Sequence, residues 1–432
     1  MKIGERIALS TYMSDRDEAK GVASQIRLLS KRSENFSYDD IAVMYRTNAQ
    51  SRVIEDELRQ AGIPYRIYGG TSFYQRKEIK DALAYMRLIT NRDDNEAFLR
   101  VVNYPTRGIG DTTVGRLHET ARKNKVSLMT VAISPETMTE DLSAAAQTKV
   151  KEFAQMIEQF AVDMDKKDAY TFAQDVLTAT GILREAKADT TQEGIARYEN
   201  LQEMLSSIHE FCQQREQDGI DFTPIADFLA EVSLLTDQDE NLDDTQARVT
   251  LLTIHAAKGL EFRHTFIVGL EENLFPSAFS QTQREIEEER RLLYVAITRS
   301  MEHCHLMNAK QRFRNGQVTF TTPSRFIKEI DKQFVLNTEV AATSRPAHIV
   351  PSVSSLSMSR LTPTTGAKEK SKKKAIRSEW AKDDCVMHRV FGKGTVLEVY
   401  RENDNEKIDI LFDAVGKKTL LLTYAKLEKV ES

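Results

Sequence analysis

Cysteine is scarce. Cys212, Cys304 and Cys385 are odd in number and far apart in the 432-residue chain, which excludes a framework of paired disulfides and fits a reducing interior. The leading stretch MKIGERIALSTYMSDRDEAK holds no apolar signal core, and no run approaches the roughly 20 apolar residues of a spanning helix. The expectation is a cytoplasmic protein, neither exported nor membrane-embedded. A charge excess of one sign is lacking too: the net charge is -5 and the isoelectric point about 6.0. Any nucleic-acid contact must then come from local basic groups or backbone amides, not from an overall field. A phosphate-cradling GxxxxGK[ST] loop is also missing. Gly110 and Gly115 have its spacing, but Arg116 and Leu117 stand where Lys and Ser/Thr are required. The acidic pair Glu271-Glu272 follows a strand and sits in no metal-binding motif.

What is present is a change of rhythm along the chain. IALSTY at 7–12, IAVMY at 41–45 and PYRIYG at 64–69 alternate with helical patterns, a βαβαβ signature. Ile41 to Tyr45 are apolar on both faces, as in a parallel strand covered by helices on either side. From about 95 to 244 strand signals vanish and amphipathic segments such as AYTFAQDVLTATG dominate. Strands return with VTLLTIH at 249–255 and HTFIVGL at 264–270, then a charged helix from about 282 and a strand near 303–308. One α/β domain split by a helical insertion is the expected architecture. Residues 338 to about 379, rich in Ser, Thr, Pro and Ala and then basic, read as a tether. The last fifty or so residues alternate again between turn signals, the spacing of a small twisted barrel.

Three segments can carry chemistry, and each has a plain structural alternative. IEEERRLLYVAITRS at 286–300 opens as a charged helix, which by itself reads equally well as a solvated face with paired charges. Its end places Arg299 where a guanidinium can be held against phosphate charge, a role worth roughly 10³–10⁵ in rate. TIHAAKGLEF at 253–262 follows a buried strand, where α/β sheets place ligands, and offers His255, Lys258 and Glu261 in one loop. IAVMYRTNAQSR delivers Tyr45 and Arg46 at a strand end: an aromatic face and a fork for phosphate oxygens, or a core Tyr and a surface Arg. In TRGIGDTTVGRL, Gly108 and Gly110 precede a helix, so their backbone can approach a phosphate closely, although such a turn is more often only a turn. His303-Cys304-His305 is ordinary strand sequence, since neighbours in a strand point to opposite faces. Lys368 to Arg377 reads as solvated tether before nucleic-acid contact.

Taken together and in this order, YRTNAQSR, YGGTSFYQRKEIKDALAY, PTRGIGDTT, TIHAAKGLEF, FPS and EEERRLLYVAITRS resemble the later motifs of the PcrA/UvrD/Rep family of superfamily 1 DNA helicases. The resemblance runs over essentially the whole chain. It implies a RecA-like parallel-sheet motor domain 2A at 1–94 and 245–335, interrupted by an all-helical 2B domain at 95–244. A disordered linker at 336–382 and a Tudor-like β-barrel at 383–432 would follow. Two departures are visible, Ala296 where the family usually has Gly and Ile254 where it has Leu.

The resemblance further implies ATP- and Mg²⁺-driven 3′→5′ translocation on single-stranded DNA and unwinding at single-strand/duplex junctions, in DNA repair and replication. By carry-over Tyr45 stacks on adenine, Arg46 and Arg299 reach the γ-phosphate as catalytic groups, and Glu261 contacts the sugar. His255 and Lys258 face the single strand, Arg107, Gly108 and Gly110 contact duplex backbone, and the tail engages RNA polymerase. No metal ligand is expected within the chain. With the Walker elements missing, ATP and Mg²⁺ would be anchored by an N-terminal 1A/1B half, and the chain alone is expected not to hydrolyse ATP. The competing reading is a non-catalytic module binding DNA and RNA polymerase. A helicase–nuclease relative ranks below both, because no nuclease motif follows the last helicase motif.

Overall fold

The computed structural model describes residues 5–32, 35–138, 142–240, 246–314, 317–339, 374–375, 384–388, 392–402, 405–412, 416–421 and 427–429. Two compact units divide the chain, residues 1–347 and 348–432.

The first unit is built on a sheet of β1 (Ile7–Ser14), β2 (Ile41–Tyr45), β3 (Tyr65–Ile67), β4 (Val249–Thr253), β5 (Phe262–Ile267), β6 (Ser300–Arg314), β7 (Gln317–Phe320) and β8 (Val335–Glu339). Their order is β3-β4-β2-β5-β6-β1-β8, parallel throughout, with β7 added antiparallel to β6. All five residues of β2 are buried, because its two neighbours and both faces are covered. Val43 faces α1 (Asp15–Arg32) and α2 (Ser51–Gln60), packing with Val22, Ile26, Leu58 and Phe266. The alternate residues Ala42 and Met44 share the other core with Ile286 and Leu293, which lie on the last helix before β6. Each such side chain contributes about 1.5–3 kcal/mol through burial.

Between β3 and β4 the chain is helical: α3 (Lys77–Thr90), α4 (Asn95–Val101), α5 (Asp111–Asn124), α6 (Leu128–Ile133), α7 (Pro135–Met138), α8 (Ala144–Asp163), α9 (Ala169–Ala179), α10 (Ile182–Ala188), α11 (Gln192–Gln217) and α12 (Ile225–Glu240). Side-chain caps fix several starts: Asp94, Ser127, Ser143, Asp168 and Thr191 each accept from a backbone N–H of the first turn. The parallel sheet interrupted by helices is the expected fold class. Its helical core reaches further upstream than the sequence pattern suggests, since Phe73 and the buried face of α3 pack with Phe98, Phe153 and Phe172. The sheet also reaches further downstream, because β8 pairs with β1 within the stretch read as the start of the linker.

The remaining helix, α13 (Gln283–Ile297), starts with a capping box in which Thr282 and Glu285 satisfy each other's backbone donors. The second unit is an antiparallel sheet of β9 (Lys374–Ala375), β10 (Cys385–His388), β11 (Gly392–Glu402), β12 (Asn405–Phe412), β13 (Gly416–Leu421) and β14 (Leu427–Lys429). Val386, Val396, Ile408, Ile410 and Phe412 form its core. Gly394 permits the close crossing there, since a Cβ would lie 2.7 Å from the Phe412 ring. Apart from 336–339 and 374–375, the expected linker lies outside the described residues, as does most of the Lys368–Arg377 cluster.

Candidate functional site

The sequence-selected residues fall at two opposite ends of the sheet. At the carboxyl ends, β2 delivers Tyr45 and Arg46, but not as an open face and fork. Tyr45 is 1% exposed and packs in the α1/α2 core. Burial holds its phenol above the ordinary range, and its hydroxyl bonds Ser51. In this arrangement the ring is buried and presents no open face. Arg46 grips Glu289 of α13 with Nε and Nη2 at 2.7–3.2 Å. Gln50 Oε1 accepts from the backbone N–H groups of Arg46 and Thr47, both at 2.9 Å. Ser280 adds a bond to Glu289 at 3.3 Å. Breaking a bidentate pair around a carboxylate 4% exposed costs about 3–5 kcal/mol. Arg46 therefore ties β2 to α13.

His255 lies beside this pair in a short turn after β4, where Thr253 Oγ1 accepts from the Ala256 N–H at 3.4 Å. Partial burial and then the Arg46 charge push its imidazole below the usual value, so it is neutral near pH 7 and both donates and accepts. Lys258 follows, exposed, before Gly259 at φ +88°.

Arg299 and Glu261 lie at the other end, just before the neighbouring strands β6 and β5. The Phe262 N–H at the start of β5 donates to Arg299 O at 2.9 Å, and Arg299 Nη1 donates to Leu260 O at 3.1 Å. Nε reaches Val295 O and Nη2 reaches Thr298 Oγ1, both at 3.2 Å. Every one of these acceptors is neutral, and among the described residues no carboxylate pairs with Arg299. The guanidinium is thus held in place with no described carboxylate paired to it; Glu261 is exposed and precedes Phe262, whose backbone lies opposite Ser300. Met44 lies opposite Ile267, five residues after Phe262, and Arg46 is two residues further on, so about 23 Å of strand separates this corner from Arg46. The structure does not bring the two arginines together.

In the helical segment, Arg107 is committed internally. Nη1 donates to Val101 O and Pro105 O at 3.2 and 3.1 Å, and Nη2 to Thr180 O at 3.4 Å. Its guanidinium lies 5.7 and 5.4 Å from the Tyr85 and Phe153 ring centres. It staples the loop and is not offered to a duplex backbone. Gly108, at φ +72°, and Gly110 are exposed, with Lys149 Nζ donating to Gly108 O at 3.4 Å. In β6, His303 stacks on His264 at 4.8 Å while Cys304 lies in the core of the opposite face.

Sequence reasoning missed Glu289, read as part of a solvated face, and Lys149, in no motif. It also missed a buried ion network. Arg312 joins Glu18 and Glu271 at 2.6 Å and Asp15 at 3.8 Å. Arg52 joins Glu203, Glu210 and Asp56 at 2.6, 3.1 and 3.2 Å. The Glu271-Glu272 pair was the one visible signal. No helix among the described residues is long and apolar enough to cross a membrane.

Comparison with known proteins matches residues 1–311 to the UvrD-like helicase C-terminal domain and 383–429 to the PcrA/UvrD tudor domain. The chain is 37% identical over 439 residues to the ATP-dependent DNA helicase PcrA of Leuconostoc citreum, covering 99% of this chain and 58% of that protein. It is 37% identical over 429 residues to DNA helicase II of Haemophilus influenzae, covering 99% and 56%. Against the ATP-dependent DNA helicase PcrA of Staphylococcus aureus it is 34% identical over 432 residues, covering 99% and 57%. The chain thus spans a little over half the length of these relatives and corresponds to their C-terminal half. A sheet interrupted by helices, the motif order and both family matches agree: the chain belongs to the UvrD-like helicase C-terminal domain family and carries the PcrA/UvrD tudor domain behind it.

Proposed function

We propose that this chain is the C-terminal motor half of an ATP-driven DNA helicase that moves 3′→5′ along single-stranded DNA. The observation that carries the reading is Arg299, fixed by three neutral acceptors and paired with no carboxylate among the described residues. Such a cation stabilises the charge developing on a transferred phosphoryl group. Glu261 beside it takes the nucleotide sugar. Tyr45 takes the adenine and Arg46 the γ-phosphate on this reading, Arg46 exchanging its Glu289 partner for the nucleotide. The chain offers no glycine-rich lysine loop, so ATP phosphates and Mg²⁺ rest mainly on the segment that precedes the matched region in the relatives.

On this reading the sheet is motor domain 2A, the helical layer is 2B with α3 at their junction, and the second unit is a tail that docks RNA polymerase. His255 and Lys258, in the β4–β5 loop, contact the single strand, and the Gly108–Gly110 turn, helped by Lys149, contacts duplex backbone. The protein works in the cytoplasm, in repair and replication.

The deciding experiment is DNA-stimulated ATP hydrolysis by the chain alone and joined to the N-terminal segment of the Leuconostoc relative. The expected outcome is no turnover alone and Arg299-dependent turnover when joined. Turnover by the isolated chain would overturn the division of labour. Failure in both settings, with junction DNA still bound in a gel shift, would favour a non-catalytic module.

A further inference from the structure

β3 is followed by Tyr68, Gly69 and Gly70, the start of the segment YGGTSFYQRKEIKDALAY, which supplies none of the DNA or nucleotide contacts proposed above. Tyr65 and Ile67 turn into the core shared with α1 and α2. Tyr68, one position on, therefore leaves the sheet on its other side, the side of Leu252 and Ile254. Its N–H donates to Leu251 O at 2.9 Å, which carries the pairing of β3 with β4 one step further toward the His255 turn. Gly69, at φ +74°, brings the chain against that turn, since a Cβ built on it would lie 3.6 Å from Ala256 Cβ. Tyr68 and His255 thus stand on adjacent turns at the carboxyl end of the sheet.

The backbone of Tyr68 is fixed and its side chain is free. The ring is 47% exposed, and among the described residues it has no ring contact and its hydroxyl no hydrogen-bond partner. Tyr74 and Tyr85, later in the same segment, are buried, and Tyr85 donates its hydroxyl to Val101 O at 3.2 Å. Packing accounts for those two rings and not for Tyr68.

Its surroundings suit a nucleic-acid strand. The two exposed glycines after it carry no side chain that could cover the ring or keep a phosphate from the backbone. On the neighbouring turn His255 and Lys258 are exposed, and neither 68–72 nor 253–260 contains a carboxylate. An open aromatic face beside a cation, without acid, is the arrangement on which single strands stack their bases while their phosphates follow the positive charge.

We propose that Tyr68 is a stacking platform for one base of single-stranded DNA, whose adjoining phosphates meet Lys258 and the open backbone of Gly69 and Gly70. The inference rests on the single-strand contact read for His255 and Lys258, and adds to it a residue that holds a base. Since every base has a π-face, the contact is indifferent to sequence.

The test is fluorescence anisotropy of the full chain with two labelled strands of about twelve nucleotides, one of thymidines and one abasic throughout. The chain should prefer the thymidine strand. Tyr68→Ala should weaken that strand about five- to hundredfold and leave the abasic strand within about twofold, whereas Tyr68→Phe should behave like the parent. Lys258→Ala should weaken both strands alike and reduce the salt dependence. Equal losses on the two strands in Tyr68→Ala, or a loss in Tyr68→Phe as large as in Tyr68→Ala, would overturn the stacking role. A loss in Lys258→Ala with Tyr68→Ala unchanged would overturn it too and leave the single-strand reading standing. No binding of either strand, by the chain alone or joined to the N-terminal segment of the Leuconostoc relative, would overturn both.

Discussion

The two ends of one parallel sheet treat their arginines differently. At the carboxyl end Arg46 and Arg312 sit among carboxylates, and their charge is used to join elements distant in sequence. At the amino end Arg299 meets two carbonyls and a hydroxyl, which set its direction without neutralising it. An arginine available to a transferring phosphate is therefore recognised less by its motif than by the absence of an acidic partner.

The strongest way to break this comparison is Arg299→Ala in the joined protein. It should lower DNA-stimulated ATP hydrolysis by about 10³-fold or more and lower the unfolding free energy of the chain by about 1–2 kcal/mol through the three hydrogen bonds it removes. A loss under tenfold would erase the distinction between the two ends. Arg312→Ala tests the opposite end: with Glu18 and Glu271 left buried and unpaired, urea unfolding should show about 3–5 kcal/mol of destabilisation. A value below about 1 kcal/mol would mean that the network contributes no net stability. A double-mutant cycle on Arg46 and Glu289 should give a coupling of about 1–3 kcal/mol, and one on Arg299 and Glu289 should give nearly none.

The smallest expected effect is on pH dependence. Glu18 and Glu203, raised by burial from 4.5 to about 7, retain protons in the folded state that the unfolded chain has released. Their contribution is therefore fully present below about 4.5 and is lost as pH rises through about 7. His305, lowered from 6.5 to about 4 by burial and then by His303, acts in the opposite sense between those two values. Glu203→Gln should flatten the fall in Tm between about pH 4.5 and 7, leaving there only the fall from Glu18 opposed by the rise from His305. An unchanged slope in that window would show that Glu203 titrates elsewhere.

Much of this fold was legible because it rests on local pattern. A five-residue apolar run without polar alternation is a central strand, and β2 spans the residues read that way. The burst of amphipathic helices between β3 and β4 was equally plain. Pairing across the chain was not. Arg46 and Glu289 are 243 positions apart, and a glutamate within EEERR looks solvated until the helix face that buries it is known. Tyr45 was ambiguous for a related reason, since an aromatic at the end of a buried strand reads equally as core or as a ligand face. The internal bonds of Arg107 were not legible because carbonyl acceptors leave no trace in sequence. That Arg299 and Glu261 stand at neighbouring strand starts follows from β5 and β6 being adjacent, which motif order alone does not state.

α13 gives these points a mechanical consequence. Its fifteen residues make a rod about 22 Å long, fastened to β2 through Glu289 and ending two residues before Arg299. The aim of the arginine is therefore indexed from the clamp. One residue inserted between Glu289 and Arg299 would turn the guanidinium by about 100° around the rod, even with every side chain of the motif retained. The spacing of the block is a phase setting, and a relative that preserves its letters but changes that count should hold its arginine toward the wrong quarter.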